Sequence, residues 1–465
     1  MPSSSPFDRQ PQMSRRFFLS ATGAVSLSAA LAACGGGSGG SSGSGSSSAA
    51  TVSQADIDKA MSTPTTLTFW TWVPNISQEV AVFERQYPAI KVNVVNPGQG
   101  TPLYTKLRTA LDSGKGTPDL AQVEYQYLPT FAILNGFVDL RPYGAAANAG
   151  KFVDWVWRQV TGPNGEIYAY PQDTGPMGML YREDIFAAHG ISVPTTWDEF
   201  ATAARKLHSA APGTYLTNLS DNEVAAWHGL MWQAGSRPYS VSGTTVGLAL
   251  NDAESQKVAG YWGGLVDEGV VSTDPDFTSN WYQAFNSGKY ATWLTAAWAP
   301  VFLAGSIKST AGKWRAAPLP QWSAGEQVSG NWGGSTNAVI KGTQSPIAAA
   351  KFAEFLNTNP TTTAMFNTQQ SLFPSLKSLL SSTAFSGLKS PFFGGQPVNQ
   401  LFAQISGTVN ANWQWPPFLD QSVTDWTATL GKALAGRGDV AAATSQWQSQ
   451  LAGYAKNQGF HVTAG

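Results

Sequence analysis

From Thr66 onward, short stretches of alternating apolar and polar residues are repeatedly followed by stretches with an apolar residue every third or fourth position. That alternation limits the chain to layered α/β folds, because each strand must bury its face beneath the helix that follows it. Thr66-Leu67-Thr68-Phe69-Trp70-Thr71-Trp72 reads as a first buried strand. Asn75 offers an N-cap, and Ile76, Val80, Phe83 and Tyr87 fall at helical spacing behind it. Ile90 to Val95 is a second strand, Leu103, Leu107 and Leu111 mark a helix, and Pro118 to Glu124 returns as a strand. The pattern resumes with strands at Glu166–Pro171 and Met177–Arg182, then a capping box at Thr196-Trp197-Asp198-Glu199. Helices are expected from Asp252 to Asp267, after Ser345-Pro346, and on the stripes Val423, Trp426, Leu430, Leu434 and Trp447, Leu451, Tyr454. A chain of 465 residues is too long for one ordinary core and suits two α/β lobes with mainly parallel, doubly wound sheets. In such sheets ligands sit beyond the carboxyl ends of the strands, which is where Trp70, Trp72 and Glu124 fall.

Charge excludes several classes of function. The net charge is −1 with only 28 Lys and Arg, so no basic field exists for nucleic acid. The 18 Trp residues are the unusual feature: most are expected to fill cores, and the remainder to present flat faces to a ligand.

The N-terminus reads as an address. Ser14-Arg15-Arg16-Phe17-Phe18-Leu19 resembles a twin-arginine export signal, and the weakly apolar stretch to Ala33 is rich in Ala, Ser and Gly. It ends in Leu31-Ala32-Ala33-Cys34-Gly35, which resembles the lipoprotein box, so Cys34, the single cysteine, is the expected lipidation site. An ordinary signal peptide with a chance Cys is the other reading. Met13 is an alternative start to Met1. Residues 1–34 are thus taken as signal and 35–64 as a Gly/Ser-rich tether, leaving the protein anchored on the extracytoplasmic face of the membrane.

Seven stretches in order carry a resemblance to a known family. They are Leu67–Trp70, Pro118–Leu120, Asn164–Pro171, Tyr181–Phe186, Pro194–Phe200, Phe285–Ala291 and Gly330–Ser335. From about Leu67 to Tyr454 the chain resembles the extracellular solute-binding proteins of carbohydrate ABC importers, the class that includes periplasmic maltose-binding protein. The resemblance implies two lobes joined by three crossovers, placed near Val160, Thr295 and Lys341. One lobe would hold 65–160 and 296–341, the other 161–295 and 342–465. It also implies a carbohydrate ligand, membrane permease subunits as partners, no cofactor, and a monomer.

Sugars offer C–H faces that stack on aromatic rings and hydroxyls that pair with carboxylates. The candidates on that chemistry are Glu124 and Tyr125 after a strand, Asp173 in the Gly-Pro loop, Trp70 and Trp72 on one strand face, Trp298, Trp332 with Gly333, and Trp415 beside Trp413. Glu124 equally suits a solvated loop and Asp173 an Asx-turn. Trp227 and Trp232 are assigned to the core.

Enzymatic signatures are missing from the sequence. His189, His208, His228 and His461 form no metal-ligand spacing, and there is no Gly-x-Ser-x-Gly elbow or phosphate loop. A surface glycoside hydrolase or lyase, or the same fold with a cargo such as glycerol phosphate, polyamine or a metal–siderophore, remains the rival reading.

Overall fold

The computed structural model describes residues 51–464. The twin-arginine segment, Cys34 and the Gly/Ser run up to residue 50 lie outside the described residues. In chain order the strands are β1 (Thr65–Trp70), β2 (Ile90–Val95), β3 (Leu120–Glu124), β4 (Ala169–Pro171), β5 (Met177–Arg182), β6 (Tyr215–Thr217), β7 (Tyr239–Ser242), β8 (Thr245–Leu248), β9 (Tyr290–Ala296), β10 (Trp314–Pro318), β11 (Ser335–Val339) and β12 (His461–Ala464).

Two sheets organise two lobes. The first runs β2-β1-β3-β11-β4, the second β10-β5-β9-β6, and a small sheet β12-β8-β7 flanks the second lobe. In the first sheet β1 pairs parallel with β2 and β3, while β11 inserts antiparallel between β3 and β4. In the second sheet β6 and β9 are parallel and the other pairs antiparallel. The period of two sorts side chains to opposite faces. Leu67, Phe69 and Leu120 join one core with Phe83, Phe352 and Leu356. Trp70, Ala121 and Val123 join the other.

Local signals are obeyed where they close a hydrogen bond. Thr196 accepts from the Glu199 amide while the Glu199 carboxylate accepts from the Thr196 amide, which starts the helix Trp197–Ala210. Asp252 caps Ala253–Asp267 by accepting from the Ser255 amide. Asn75 does not cap its helix: it sits in left-handed backbone at φ 61°, and Ser77–Gln86 starts behind Ile76. Part of the segment expected as tether, 35–64, is helical. Ser53 caps a helix, Gln54–Ser62, whose Met61 is buried in the first lobe.

The lobe boundaries differ from those expected at Val160, Thr295 and Lys341. β4 pairs with β11, so the chain stays in the first lobe through Pro171. β10 pairs with β5, so it stays in the second lobe well past Thr295. Helix Pro346–Thr358 packs on β1, β4 and helix Ser77–Gln86, so Lys341 lies inside the first lobe. The crossings are instead at 172–176, 319–334 and around Phe373–Leu376. Strand pairing, which is non-local, decided the matter.

Candidate functional site

The crossings are laced into one ribbon between the lobes. The Gln172 amide donates to Ser335 O at 2.9 Å, the Trp332 amide to Gly175 O at 2.8 Å, and the Met177 amide to Gly330 O at 3.0 Å. Asn331 ties both strands of the ribbon, accepting from the Gly175 amide at 2.9 Å and donating to Gly333 O at 2.8 Å. The Thr174 amide donates to Phe373 O at 3.0 Å, adding the third crossing. Gly333 and Gly334 hold φ of 84° and 100°, where a side chain would strain the turn. Asp173 is buried here, its Oδ1 accepting from the Ser335 amide and from Gln172 Nε2, both at 3.1 Å.

The wall on the first lobe comes from strand ends and one helix. Glu124 ends β3, and its Oε2 accepts from the Tyr104 hydroxyl at 2.8 Å, on helix Thr101–Ser113. Trp72 stands edge-on to Tyr104 at 6.2 Å, and Tyr127 lies 4.0 Å from the same ring. Glu124 and Trp72 are half-buried, so each keeps a surface open to solvent.

The opposite wall is aromatic and acidic. Trp298, just past β9, donates from Nε1 to Trp332 O at 2.8 Å, which fixes its ring at the crossing. Trp332 meets it edge-on at 5.0 Å, with Phe277 and Phe302 6.4 and 5.7 Å from Trp298. Phe277 and Phe302 are 43% and 51% exposed, against the usual fate of Phe. Phe277 also holds φ 61°, a backbone state that costs a bulky residue about 1–2 kcal/mol. Glu223 caps helix Val224–Ala234, accepting from the Ala225 amide at 3.0 Å, and Asp276 precedes Phe277. All eighteen Trp except Trp72, Trp157, Trp298 and Trp322 are buried, so the two exposed indoles beside these carboxylates are Trp72 and Trp298.

The carboxylates belong to one electrostatic neighbourhood. Burial raises Glu124, against hydrogen bonds from Tyr104 and Gln126. Burial, aided by the Glu124 charge, pushes Asp173 and Glu223 each up to about 7. Burial and the Glu223 charge push Asp276 up to about 8. Glu124, on one lobe, is therefore close enough to Glu223, on the other, to disfavour its ionisation. Glu223 is half-buried and keeps some solvent contact.

A raised carboxyl pKa keeps its proton in the folded state after the unfolded chain has lost it. These groups therefore favour the fold below about pH 4, and that contribution is lost as pH rises towards about 8. Melting temperature should fall from pH 5 to pH 8, and Asp276→Asn should flatten that slope. Thermal scans across the range check this, and parallel profiles for the two proteins would refute it.

The structure separates the sequence candidates. It links Asp173, Trp298, Trp332 and Gly333 through hydrogen bonds at the crossings, and Trp72 and Glu124 to each other through Tyr104. Trp70 is 4% exposed, with the Lys106 ammonium 4.4 Å from its ring centre, so it packs rather than offers a face. Tyr125 is buried, its hydroxyl donating to Asp173 O at 3.1 Å, a brace for the crossing. Trp415 is 8% exposed and edge-on to His228 and Trp413, inside an aromatic box where Trp413 stacks on Trp232 at 4.9 Å. Tyr104, Glu223, Asp276, Phe277 and Phe302 were not singled out from sequence. Glu223 carried one usable signal, an acidic residue directly before a long apolar run. Among the described residues no cluster of His, Cys, Asp and Glu could hold a metal ion, and no helix is long and apolar enough to cross a membrane.

Two sheet-built lobes laced by three chain crossings, with half-buried indoles and carboxylates near those crossings, define a two-lobed solute-binding protein. Residues 69–362 match the family model of the bacterial extracellular solute-binding proteins. The chain belongs to that family. It is 26% identical over 316 residues to the arabinooligosaccharide-binding protein of Bacillus subtilis (strain 168), covering 65% of this chain and 71% of that one. Among solved structures it is similar to the ABC transporter associated binding protein from B. animalis subsp. lactis Bl-04, in complex with beta-1,6-galactobiose. That match has 30% identity, covers 86% of this chain and 99% of that one, and has a TM-score of 0.73. It is also similar to the galacto-N-biose-/lacto-N-biose I-binding protein from Bifidobacterium longum, at 26% identity, 86% and 98% coverage and a TM-score of 0.74.

Proposed function

We propose that the protein captures an oligosaccharide between its lobes and delivers it to the permease of an ABC importer, without chemical turnover. Lipidated Cys34 holds it, as a monomer, on the extracytoplasmic face. The observation that carries the reading is that half-buried Trp72 shares Tyr104 with Glu124 on one lobe, and that the Glu124 charge reaches Glu223 on the other lobe, which also carries half-buried Trp298. Flat indoles take sugar C–H faces, and carboxylates accept from hydroxyls in charge-assisted bonds. The named ligands of the relatives, arabinooligosaccharide, beta-1,6-galactobiose and lacto-N-biose, support a neutral saccharide cargo. Lobe closure then removes water from the walls and shifts the protein towards the form the permease reads.

A thermal-shift screen against a glycan panel tests it. A sugar at one hundred times its Kd adds about 2.7 kcal/mol of stability. Glu124→Gln keeps the shape but removes the charge, and should weaken binding about 10- to 100-fold in calorimetry. Failure of every glycan to shift the melting point, or release of smaller sugars by the purified protein, would overturn the proposal.

A further inference from the structure

One cluster joins the lobes directly. Helix Thr101–Ser113 of the first lobe places Tyr104 on Glu124, and Arg108 lies one turn further along the same side. Arg108 Nη2 donates to Asp420 Oδ2 at 2.9 Å, and the Tyr127 hydroxyl donates to Asp420 Oδ1 at 3.0 Å. Asp420 stands in the first turn of Leu419–Trp426, a helix packed on Val440–Asn457 in the second lobe. Both carboxylate oxygens of a second-lobe residue are thus held by first-lobe donors.

We infer that Arg108, Tyr127 and Asp420 form an interlobe latch, which makes Arg108 and Asp420 positioning residues for ligand retention. Three features favour this over an incidental surface pair. The side chains of Arg108 and Asp420 are 18% and 32% exposed, so the pair is shielded from the full screening that makes exposed bridges nearly worthless. Arg108 Nε is buried without a hydrogen-bond partner among the described residues, and the acceptor its guanidinium does reach is Asp420. Asp112 attracts Arg108 only through space. Finally, Tyr127 packs on Tyr104, so the latch is continuous with Glu124 and the recess wall. Separating the lobes breaks both bonds to Asp420 and exposes two donors to water. Contacts made only in the closed form stabilise that form and slow its opening, with little effect on encounter.

The retention role rests on the reading of the recess as a sugar site, but the latch itself is measurable without sugar. Small-angle scattering of the sugar-free protein should show a larger radius of gyration for Asp420→Asn than for the unaltered chain. An unchanged profile overturns the latch whether or not any sugar binds. With a sugar found by the glycan panel, stopped-flow Trp fluorescence should show dissociation accelerated about fivefold in Asp420→Asn and association within about twofold. Arg108→Gln should match it, and the double variant should be no faster than either single one. Raising salt from 50 to 500 mM should speed dissociation from the unaltered protein and leave the variants unmoved. Additive effects of the two substitutions, or equal salt dependence in all proteins, would overturn the assignment. If no glycan binds while scattering separates Asp420→Asn from the unaltered chain, the latch stands and the sugar reading falls.

Discussion

Gly175→Ala should lower the melting temperature by roughly 1–4 °C and weaken ligand binding by at least about tenfold. A Cβ on Gly175 would stand 1.9 Å from Trp332 O and 3.2 Å from Trp298 Cδ1. The first is a backbone atom, so no rotamer change relieves the clash. The ribbon itself must yield, and with it the paired bonds between Gly175 and Asn331 or Trp332. Overpacking typically costs about 1–3 kcal/mol, and here it falls on the crossings that both lobes share. The same shift would tip Trp298, whose indole is anchored on Trp332 O. Differential scanning fluorimetry with and without glycan measures both losses. Full stability in the variant would show that the crossings are looser than their hydrogen bonding implies.

Trp298→Ala should cost more in affinity than any other single truncation in the recess. Removing a buried aromatic anchor typically costs about 2–4 kcal/mol, which is roughly 30- to 900-fold in Kd. Trp298→Phe keeps an apolar face but loses the bond from Nε1 to Trp332 O that sets ring orientation, so it should fall between. Trp415→Phe is the contrast. Its ring is 8% exposed and enclosed by His228 and Trp413, so the substitution should lower the melting point and leave Kd within about threefold. Titration calorimetry on the three variants decides this. If Trp298→Ala binds within about threefold of the unaltered protein, the second-lobe wall is wrongly assigned.

Much of the proposed site was visible along the chain because its residues lie at element ends. Glu124 closes a strand whose β-prone residues are contiguous, and Trp298 follows a strand before a Pro-headed helix. The residues that went unseen share one property: their partners are remote. Tyr104 serves the site only because helix Thr101–Ser113 leans its hydroxyl onto Glu124. Phe277 is one Phe among 23 until its left-handed backbone and its exposure set it apart. Trp70 and Trp72 look alike on paper, yet Lys106 and the core claim the first and leave the second half-open.

By itself, the order of residues determined much of the succession of strands and helices, the cap at Thr196, and the family. Each depends on neighbours within a few positions or on a motif read in one pass. Only the tertiary structure decided where the lobes divide, which indoles face the recess, and that Arg108 meets Asp420 across 312 positions of chain. Strand pairing, burial and interlobe contact are set by through-space packing among segments distant in sequence, so no local periodicity encodes them.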